Sequence, residues 1–273
     1  MSEAAAFRIL DAASAMGVRA FDTAEAYGSS SARLRAWIDA RNNADSVEII
    51  TKCSIDSSGQ PLNALEEKAD KALARFDGIE HVIVLTHGAV GADLWSAVVA
   101  ASSRHHASAG QSVYSPEEVT AACALSGIEM MQVPGNILDQ RAIQARGDSG
   151  VPLDVRSIYL QGVLLDDPND ADRRAPGSGR ISAGVQSAAA SLGIPAAQLL
   201  VASMLRVIGP RDRLVIGVDD VSELEVLPAA FEVGDDVVRQ FQSMMTRLAD
   251  DPALDRLLDR LLDPRTWPAK LAV

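Results

Sequence analysis

Residues 18–41 read VRAFDTAEAYGSSSARLRAWIDAR, a short apolar run that ends in an acid and continues into a phenol, a Gly-Ser-Ser-Ser turn and a helical pattern. The run VRAFDT (18–23) has the length and composition of a buried strand. In SSSARLRAWIDAR (29–41) the serines suit a helix N-terminus, and Leu34, Trp37 and Ile38 fall on one helical face. The stretch therefore predicts a strand followed by a helix, with Asp22 and Tyr27 between them.

The same alternation continues along the chain. Further strands are predicted at VEIITK (47–52), HVIVLTH (81–87), GQSVYS (110–115), IEMMQVP (128–134), VPLDVRSIYL (151–160) and RLVIGV (213–218). Helices are predicted at 3–16, 62–76, 93–103, 116–126, 185–193, 196–209 and 222–231, and in two closing segments, one of which includes LDRLLDRLL within 254–262. The polar stretch DDPNDADRRAPGSGR (166–180) is predicted to be a long loop. Short strands that alternate with helices predict βαβ units and a parallel sheet.

Composition and charge exclude several classes of protein. The 273 residues carry 25 Lys and Arg against 37 Asp and Glu, a formal net charge of −12, which argues against nucleic acid or an anionic membrane as the main partner. The two cysteines, Cys53 and Cys123, allow neither a disulfide framework nor a paired metal motif, so we expect a cytoplasmic protein. The first 17 residues lack the pattern of a signal peptide, and no apolar run approaches the ~20 residues that span a bilayer.

Titratable side chains stand at the ends of three successive predicted strands. Asp22 ends the first, Lys52 the second and His87 the third, and Tyr27 follows Asp22 in the next loop. In a barrel of βα units these strand ends meet at the active-site mouth. Each residue alone has an ordinary explanation as a turn former, a solvated charge or a structural side chain, but the four together predict proton transfer to a carbonyl oxygen. A phenol of reference pKa ~10 needs a nearby ammonium to act as an acid at neutral pH, and a carboxylate keeps that ammonium charged.

Seven motifs, in order along the chain, resemble those of the aldo-keto reductase superfamily. They are D-T-A-x-x-Y-G (22–28), I-T-K (50–52), L-T-H (85–87), Q-V-P-G-N-I-L-D-Q (132–140), R-S-I-Y-L-Q-G (156–162), I-G-V (216–218) and L-L-D-P-R-T-W (261–267). The first motif is specific, and the resemblance covers nearly the whole chain. It implies an α/β fold of the TIM-type (β/α)8 barrel class, formed as a single domain by residues 1–273.

The resemblance also implies roles for the residues at the strand ends. Tyr27 would be the general acid, Lys52 would lower its pKa, and Asp22 would pair with Lys52. His87 would orient the substrate carbonyl. The implied activity is that of an oxidoreductase that uses NADP(H) or NAD(H) to reduce an aldehyde, a ketone or a sugar carbonyl.

The cofactor residues implied by the resemblance lie in the later motifs. Gln132, Asn136 and Ser157 would contact the nicotinamide half of the dinucleotide. The remaining positions that match the cofactor-binding motifs are Arg156, Gln161 and Gly217. No metal site is expected, because the adjacent His105 and His106 would point apart on most backbones.

Two features depart from the family pattern. The chain begins at the segment that resembles the first barrel helix, so the family's first strand has no counterpart before Ser2. We therefore expect an incomplete barrel with about seven parallel strands in this chain. A start assigned too late, an exchanged segment and a seven-stranded closure all remain open. An uncovered strand edge invites pairing, so a homo-oligomer or another partner would cover it.

The second departure lies in GVDDVSELEVLPAAF (217–231), where the family usually places residues that hold the adenosine and its 2′-phosphate. This stretch carries instead the four acids Asp219, Asp220, Glu223 and Glu225. Carboxylates repel a phosphate, whereas a ribose hydroxyl tolerates them. NADPH is therefore disfavoured relative to NADH, unless these acids only complement the dipole of the following helix.

The two departures leave alternatives to a reductase. One is a barrel that has lost hydride transfer and uses Tyr27, Lys52 and His87 for epimerisation or elimination next to a carbonyl. The other is a non-catalytic partner subunit that docks through its open edge. The four strand-end residues favour an enzyme, because a scaffold does not need them.

Overall fold

The computed structural model describes residues 1–55, 61–251 and 254. In this part of the chain, seven strands form one sheet in the order β1-β2-β3-β4-β5-β6-β7. They are β1 (Ala20–Asp22), β2 (Glu48–Cys53), β3 (His81–His87), β4 (Ser108–Ser112), β5 (Met130–Pro134), β6 (Leu153–Arg156) and β7 (Arg213–Leu214). Neighbouring strands run parallel, which confirms the predicted α/β fold with about seven parallel strands.

Helices connect these strands as the alternation predicted. Those described are α1 (Glu3–Ala15), α2 (Ser30–Arg41), α3 (Leu62–Ala74), α4 (Ala92–Arg104), α5 (Pro116–Cys123), α6 (Arg141–Ala145), α7 (Pro168–Arg174), α8 (Gly179–Leu192), α9 (Ala196–Leu205), α10 (Val221–Glu225) and α11 (Asp235–Ala249). Short 3-10 helices lie at Ala44–Ser46 and Pro228–Glu232. Apart from residue 254, the segments LDRLLDRLL and LLDPRTW lie outside the described residues.

The prediction of a long loop over 166–180 is wrong, because α7 and the first residues of α8 lie within it. The side chain of Asp167 caps α7 by accepting a hydrogen bond from the Asn169 backbone N–H. Pro168 occupies the first turn, where its missing N–H costs nothing. Arg173 and Arg174 stand in the last turn, where positive charge is favourable. Asp167 and Pro168, which the sequence analysis assigned to a loop, thus begin helix α7.

The described chain divides into two compact units. The first comprises the described residues within Met1–Val133, Arg141–Asp154 and Gly217–Leu224, and the second Pro134–Gln140, Val155–Ile216 and the described residues from Glu225 onwards. The single domain over residues 1–273 stays a prediction. Among the described helices, none is by itself long and apolar enough to cross a membrane; α8 and α9 reach that length and hydropathy only as a pair, with a 91° bend at the break between them.

The sheet of the first unit has an apolar layer on the face that also carries the strand-end side chains. Ile50, Leu85 and Met130 form a buried cluster on successive strands. Gly110 lies on the strand between Leu85 and Met130, and a Cβ there would come within 2.3 Å of the Met130 carbonyl oxygen and 2.6 Å of Leu85 Cδ2. Since side chains two residues apart share a face of a strand, the next layer towards the carboxyl ends consists of polar residues.

A hydrogen-bonded carboxylate joins α1 to α2. Asp11 Oδ1 accepts hydrogen bonds from Trp37 Nε1 and Arg41 Nε, both at 2.8 Å, and Asp11 Oδ2 accepts one from Arg41 Nη2 at 2.7 Å. The hydrogen bond from Arg41 is the main cause that lowers the pKa of Asp11 to about 2. The carboxylate therefore stays charged far into acid solution.

We expect Asp11→Ala to lower the free energy of unfolding by about 1–3 kcal/mol at pH 7, because the N–H of buried Trp37 loses its partner. The pKa of Asp11 is lower in the folded than in the unfolded chain, so this stabilisation is complete above about pH 4 and disappears as the pH falls towards 2. Urea unfolding of both proteins between pH 7 and pH 2 measures the difference. Asp39→Asn, which breaks the exposed pair with Arg35, should have a much smaller effect. A difference between wild type and Asp11→Ala that is constant with pH would contradict the assignment.

Candidate active site

Polar side chains line the carboxyl edge of the sheet in the first unit, on the same face as the Ile50–Leu85–Met130 layer. The register pairs His87 with Ser112, and Ser112 with Gln132, so these three residues form one row across β3, β4 and β5. Lys52 lies two residues beyond Ile50 on β2, and Asp22 ends β1. The structure therefore brings together Asp22, Lys52 and His87, as the sequence predicted.

Lys52 and Asp22 form a tight, largely buried ion pair. Lys52 Nζ lies 2.6 Å from Asp22 Oδ1 and 2.5 Å from Asp22 Oδ2, and it is also 3.4 Å from the carbonyl oxygen of Thr23. The Lys52 side chain is 1% exposed and that of Asp22 is 17% exposed. A buried ammonium requires a nearby carboxylate, so the two charges depend on each other.

Gln132 adds a third hydrogen bond to the same carboxylate. Its Nε2 donates to Asp22 Oδ2 at 2.8 Å, although β1 and β5 lie four strands apart in the sheet. The contact requires the sheet of the first unit to curl, so that these strand ends approach each other. Among the described residues, the buried Oε1 atom of Gln132 has no hydrogen-bond partner.

Tyr27 is the exposed member of the cluster. It is 47% exposed, and its ring centroid lies 5.3 Å from Lys52 Nζ. The rings of Tyr27 and His87 meet edge to face, with centroids 6.1 Å apart and an angle of 88°. A phenol that faces solvent, with a buried ammonium beneath it and an imidazole beside it, is a suitable proton donor for a polar group bound at this surface.

The D-T-A-x-x-Y-G motif forms the turn that carries Tyr27. Thr23 Oγ1 lies 3.0 Å from Ser31 Oγ, and the Ser31 hydroxyl donates to the Ala24 carbonyl oxygen at 3.3 Å. The backbone N–H of Tyr27 bonds to the same carbonyl oxygen at 3.1 Å, and Gly28 follows with φ of 59°, a value that favours glycine. The serines of the Gly-Ser-Ser-Ser turn thus hold the phenol in place as well as starting α2.

Two buried residues of β4 that the sequence analysis did not single out pair with the end of β3, Ser112 with His87 and Gln111 with Thr86. Ser112 is 1% exposed. Gln111 accepts a hydrogen bond from the Val90 backbone N–H at 3.3 Å and donates one to the Val90 carbonyl oxygen at 3.2 Å, which ties down the segment after β3. Ser and Gln inside a short strand carry no distinctive pattern, so only the register shows where they lie.

Cys53 follows Lys52 but does not contribute a nucleophile. The side chain is buried and its Sγ lies 3.5 Å from the Leu85 carbonyl oxygen. Burial raises the pKa of the Cys53 thiol to about 12, so it stays protonated at neutral pH.

The second unit holds four further motif residues of the predicted cofactor site, Asn136, Arg156, Ser157 and Gln161. Asn136 is buried, and its Oδ1 accepts hydrogen bonds from the backbone N–H groups of Leu138 and Asp139 at 2.9 and 3.1 Å. The Gly135 backbone N–H bonds to the Arg156 carbonyl oxygen at 3.0 Å, which places this turn beside the end of β6. The side-chain oxygen of Asn136 is therefore engaged in its own turn.

The segment after β6 has an unusual backbone. Ser157, Leu160 and Gln161 have φ of 64°, 48° and 56°, in the left-handed region that non-glycine residues rarely adopt. Arg156 Nη1 donates to Ser157 Oγ at 3.4 Å, and Arg174 Nη1 donates to the Gln161 carbonyl oxygen at 2.8 Å. Strained backbone of this kind concentrates at functional sites, and here it includes two of the predicted cofactor residues, Ser157 and Gln161.

Gly217 lies in the first unit, in the loop before α10. It is exposed, and a Cβ added there would meet open space. In α10, Glu223 Oε2 accepts a hydrogen bond from the Asp219 backbone N–H of the preceding loop at 2.8 Å. Asp220 Oδ1 accepts hydrogen bonds from the backbone N–H and the hydroxyl of Ser222 at 2.9 and 2.8 Å. The backbone N–H of Ser222 is the main cause that lowers the pKa of Asp220, so this acid is charged at neutral pH.

Comparisons with known proteins agree with this architecture. Residues 1–90, which contain Asp22, Tyr27, Lys52 and His87, match the model of the aldo/keto reductase family. A search of curated proteins found no match.

Several solved structures share the fold. A thermostable aldo-keto reductase in complex with the inhibitor epalrestat is 19% identical with a TM-score of 0.68; the match covers 89% of this chain and 88% of that one. The aldo-keto reductase AKR11C1 from Bacillus halodurans, in its holo form, is 16% identical with a TM-score of 0.65, over 89% and 88% of the two chains. An aldo-keto reductase from Brucella melitensis is 17% identical with a TM-score of 0.63, over 89% and 91%. Residues 1–90 therefore resemble the aldo/keto reductase family in sequence, and the solved structures show that the fold is shared.

Proposed function

We propose that this protein reduces the carbonyl group of a small molecule with a nicotinamide dinucleotide, and that Tyr27 is the general acid. The observation that carries the proposal is the exposed phenol of Tyr27 above the buried pair of Lys52 and Asp22. The family match over residues 1–90 supports it, because all of these residues lie inside that segment. The substrate class is an aldehyde, a ketone or a sugar carbonyl.

The residues of the first unit would have distinct roles in this reaction. A bound dihydronicotinamide would supply the hydride for the carbonyl carbon and would leave as the oxidised ring. Tyr27 breaks its O–H bond and gives the proton to the carbonyl oxygen, and the resulting phenolate is stabilised by the Lys52 ammonium. His87, whose ring meets that of Tyr27 edge to face, would hold the carbonyl oxygen in line with the phenol. Asp22 keeps Lys52 charged and in place.

The nicotinamide end of a dinucleotide fits the first unit. The carboxamide of nicotinamide has N–H donors, and the Oε1 atom of Gln132 is a buried acceptor without a partner among the described residues. A buried amide oxygen left unpaired costs free energy, so a ligand that donates to it is favoured.

The 2′-phosphate of NADPH fits less well. A phosphate needs free N–H donors and positive charge, but the N–H groups of Asp219 and Ser222 are already bonded to Glu223 and Asp220. These carboxylates would repel a phosphate beside them. We therefore propose NADH as the preferred cofactor.

We expect NADH to bind at least about tenfold more tightly than NADPH, because the acids before and in α10 repel the 2′-phosphate of NADPH. Fluorescence titration and the rise in melting temperature with each dinucleotide measure the two affinities. The double variant Asp220→Asn, Glu223→Gln should reduce the difference in affinity between NADH and NADPH. The control variant Glu232→Gln, Asp236→Asn removes two exposed acids elsewhere and should leave the difference in affinity unchanged. Equal affinities in the wild type would contradict this account of the loop.

A second candidate is an enzyme that transfers protons next to a carbonyl without hydride transfer. The backbone N–H groups of Asp219 and Ser222 favour it, because they are already bonded and are not available as donors to a dinucleotide phosphate. Exchange of deuterium from heavy water into a carbonyl compound, without nicotinamide, would support this function. Strict dependence of turnover on NADH would exclude it. A protein that neither binds a dinucleotide nor catalyses exchange would instead be a non-catalytic subunit.

A further inference from the structure

The orientation of the Gln132 amide follows from the charge of its neighbour. Asp22 pairs with the Lys52 ammonium and is a carboxylate, so it has no proton to donate. Gln132 must therefore turn its N–H to Asp22, at 2.8 Å, and its carbonyl oxygen the other way. That oxygen is buried in a side chain that is 1% exposed, and it has no partner among the described residues.

We propose that Gln132 is a positioning residue that links a ligand bound at its Oε1 atom to the Asp22–Lys52 pair, and through that pair to Tyr27. The ligand is one that donates an N–H, as a carboxamide does. The proposal rests on the proposed function for the role of Tyr27, but the hydrogen bond to Asp22 exists independently of that function.

The physical basis is the sharing of the Asp22 charge. A hydrogen bond from Gln132 draws negative charge away from Lys52, so that the ammonium acts more strongly on Tyr27. When a ligand donates to Oε1, the amide becomes a stronger donor on its N–H side, because hydrogen bonds in a chain polarise one another. Occupation of Oε1 should thus make Tyr27 more acidic.

Several charged or titratable groups lie near the Tyr27 phenol. Lys52 lies beneath its ring and His87 beside it, Asp22 lies behind Lys52, and Glu25 is in the same turn. Lys52 favours the phenolate, and the two carboxylates disfavour it. Because Gln132 forms a hydrogen bond with Asp22 and with none of the other groups, its replacement tests a single hydrogen bond of the network.

The test is a pH titration of Tyr27, monitored by the absorbance of tyrosinate. The signal of Tyr27 is obtained by subtracting the titration of the same protein with Tyr27→Phe added. The chain has three tyrosines, so the subtraction isolates one. In Gln132→Met, which has similar volume but no hydrogen bond, we expect the midpoint to rise by about half a pH unit. Gln132→Asn keeps the amide on an arm one methylene shorter and should raise it as well. Gln186→Met, which removes a side-chain hydrogen bond to Leu165 in the second unit, should not move it.

A second arm repeats the titrations with saturating oxidised NAD as the probe. Because the cationic ring of oxidised NAD favours the phenolate in every variant, we expect the ligand to lower the titration midpoint of Tyr27 by more in the wild type than in Gln132→Met. The positioning role is overturned if Gln132→Met and Gln132→Asn melt cooperatively and titrate like the wild type. Failure of NAD to bind would contradict the proposed function. The titrations without NAD would still show whether Gln132 acts on Tyr27 through Asp22.

Discussion

Replacing Tyr27 by phenylalanine is expected to slow carbonyl reduction by about 10²–10⁴-fold, the usual contribution of a general acid. The change removes one hydroxyl and keeps the ring that meets His87 edge to face. Because the Tyr27 side chain is 47% exposed, we expect the melting temperature to change little. The affinity for NADH should also stay close to that of the wild type, since the phenol acts on the substrate oxygen. Steady-state rates and dinucleotide titrations of both proteins measure the two effects.

The matched control is Tyr114→Phe. Tyr114 follows β4, and its backbone N–H is bonded to Glu118 in the capping box of α5. Removal of its hydroxyl should leave the reduction rate within about twofold of the wild type. Retention of the wild-type rate in Tyr27→Phe would show that another group donates the proton.

The replacement of one member of the buried ion pair is expected to have the largest effect on stability. Asp22→Asn leaves the Lys52 ammonium, in a side chain 1% exposed, without its carboxylate. We expect the free energy of unfolding to fall by about 3–5 kcal/mol, the typical cost of a broken buried pair. Reduction should also fall, because an unpaired lysine in this position loses its proton and no longer assists Tyr27. Chemical denaturation and steady-state rates report the two losses.

A double variant separates stability from catalysis. Asp22→Asn with Lys52→Met replaces both charges by neutral groups of similar size, which often restores stability. We expect the double variant to be more stable than Asp22→Asn and to remain as slow in carbonyl reduction. A double variant that regains activity along with stability would show that the pair serves only the fold.

Much of the site could be predicted from strand ends. Asp22, Lys52 and His87 each end an apolar run, and parallel strands place their carboxyl ends at one edge. The contact of Gln132 with Asp22 could not be predicted, because the residues lie 110 positions apart and meet only through the curl of the sheet. The roles of all these side chains in catalysis stay predictions until they are measured.

Other features could not be predicted, because they depend on local hydrogen bonds that the amino-acid composition does not reveal. The acids around position 220 were evident, but the pattern of charge does not say which N–H groups they bond. Helix α7 was missed because its Asp-Pro start is equally typical of a loop. The strand predicted over 213–218 is reduced to Arg213–Leu214, although the Val215 N–H still bonds to the Val155 carbonyl oxygen at 2.8 Å.

The most direct test of the account follows a labelled hydride. The full chain would be incubated with 4-nitrobenzaldehyde and NADH that carries deuterium at both positions of carbon 4, and the alcohol would be analysed by mass spectrometry. We predict one deuterium on the carbinol carbon with the wild type and a strongly reduced yield with Tyr27→Phe. If NADH is shown to bind and no deuterium reaches the alcohol from this or any other aldehyde, ketone or sugar tested, the protein is not a carbonyl reductase.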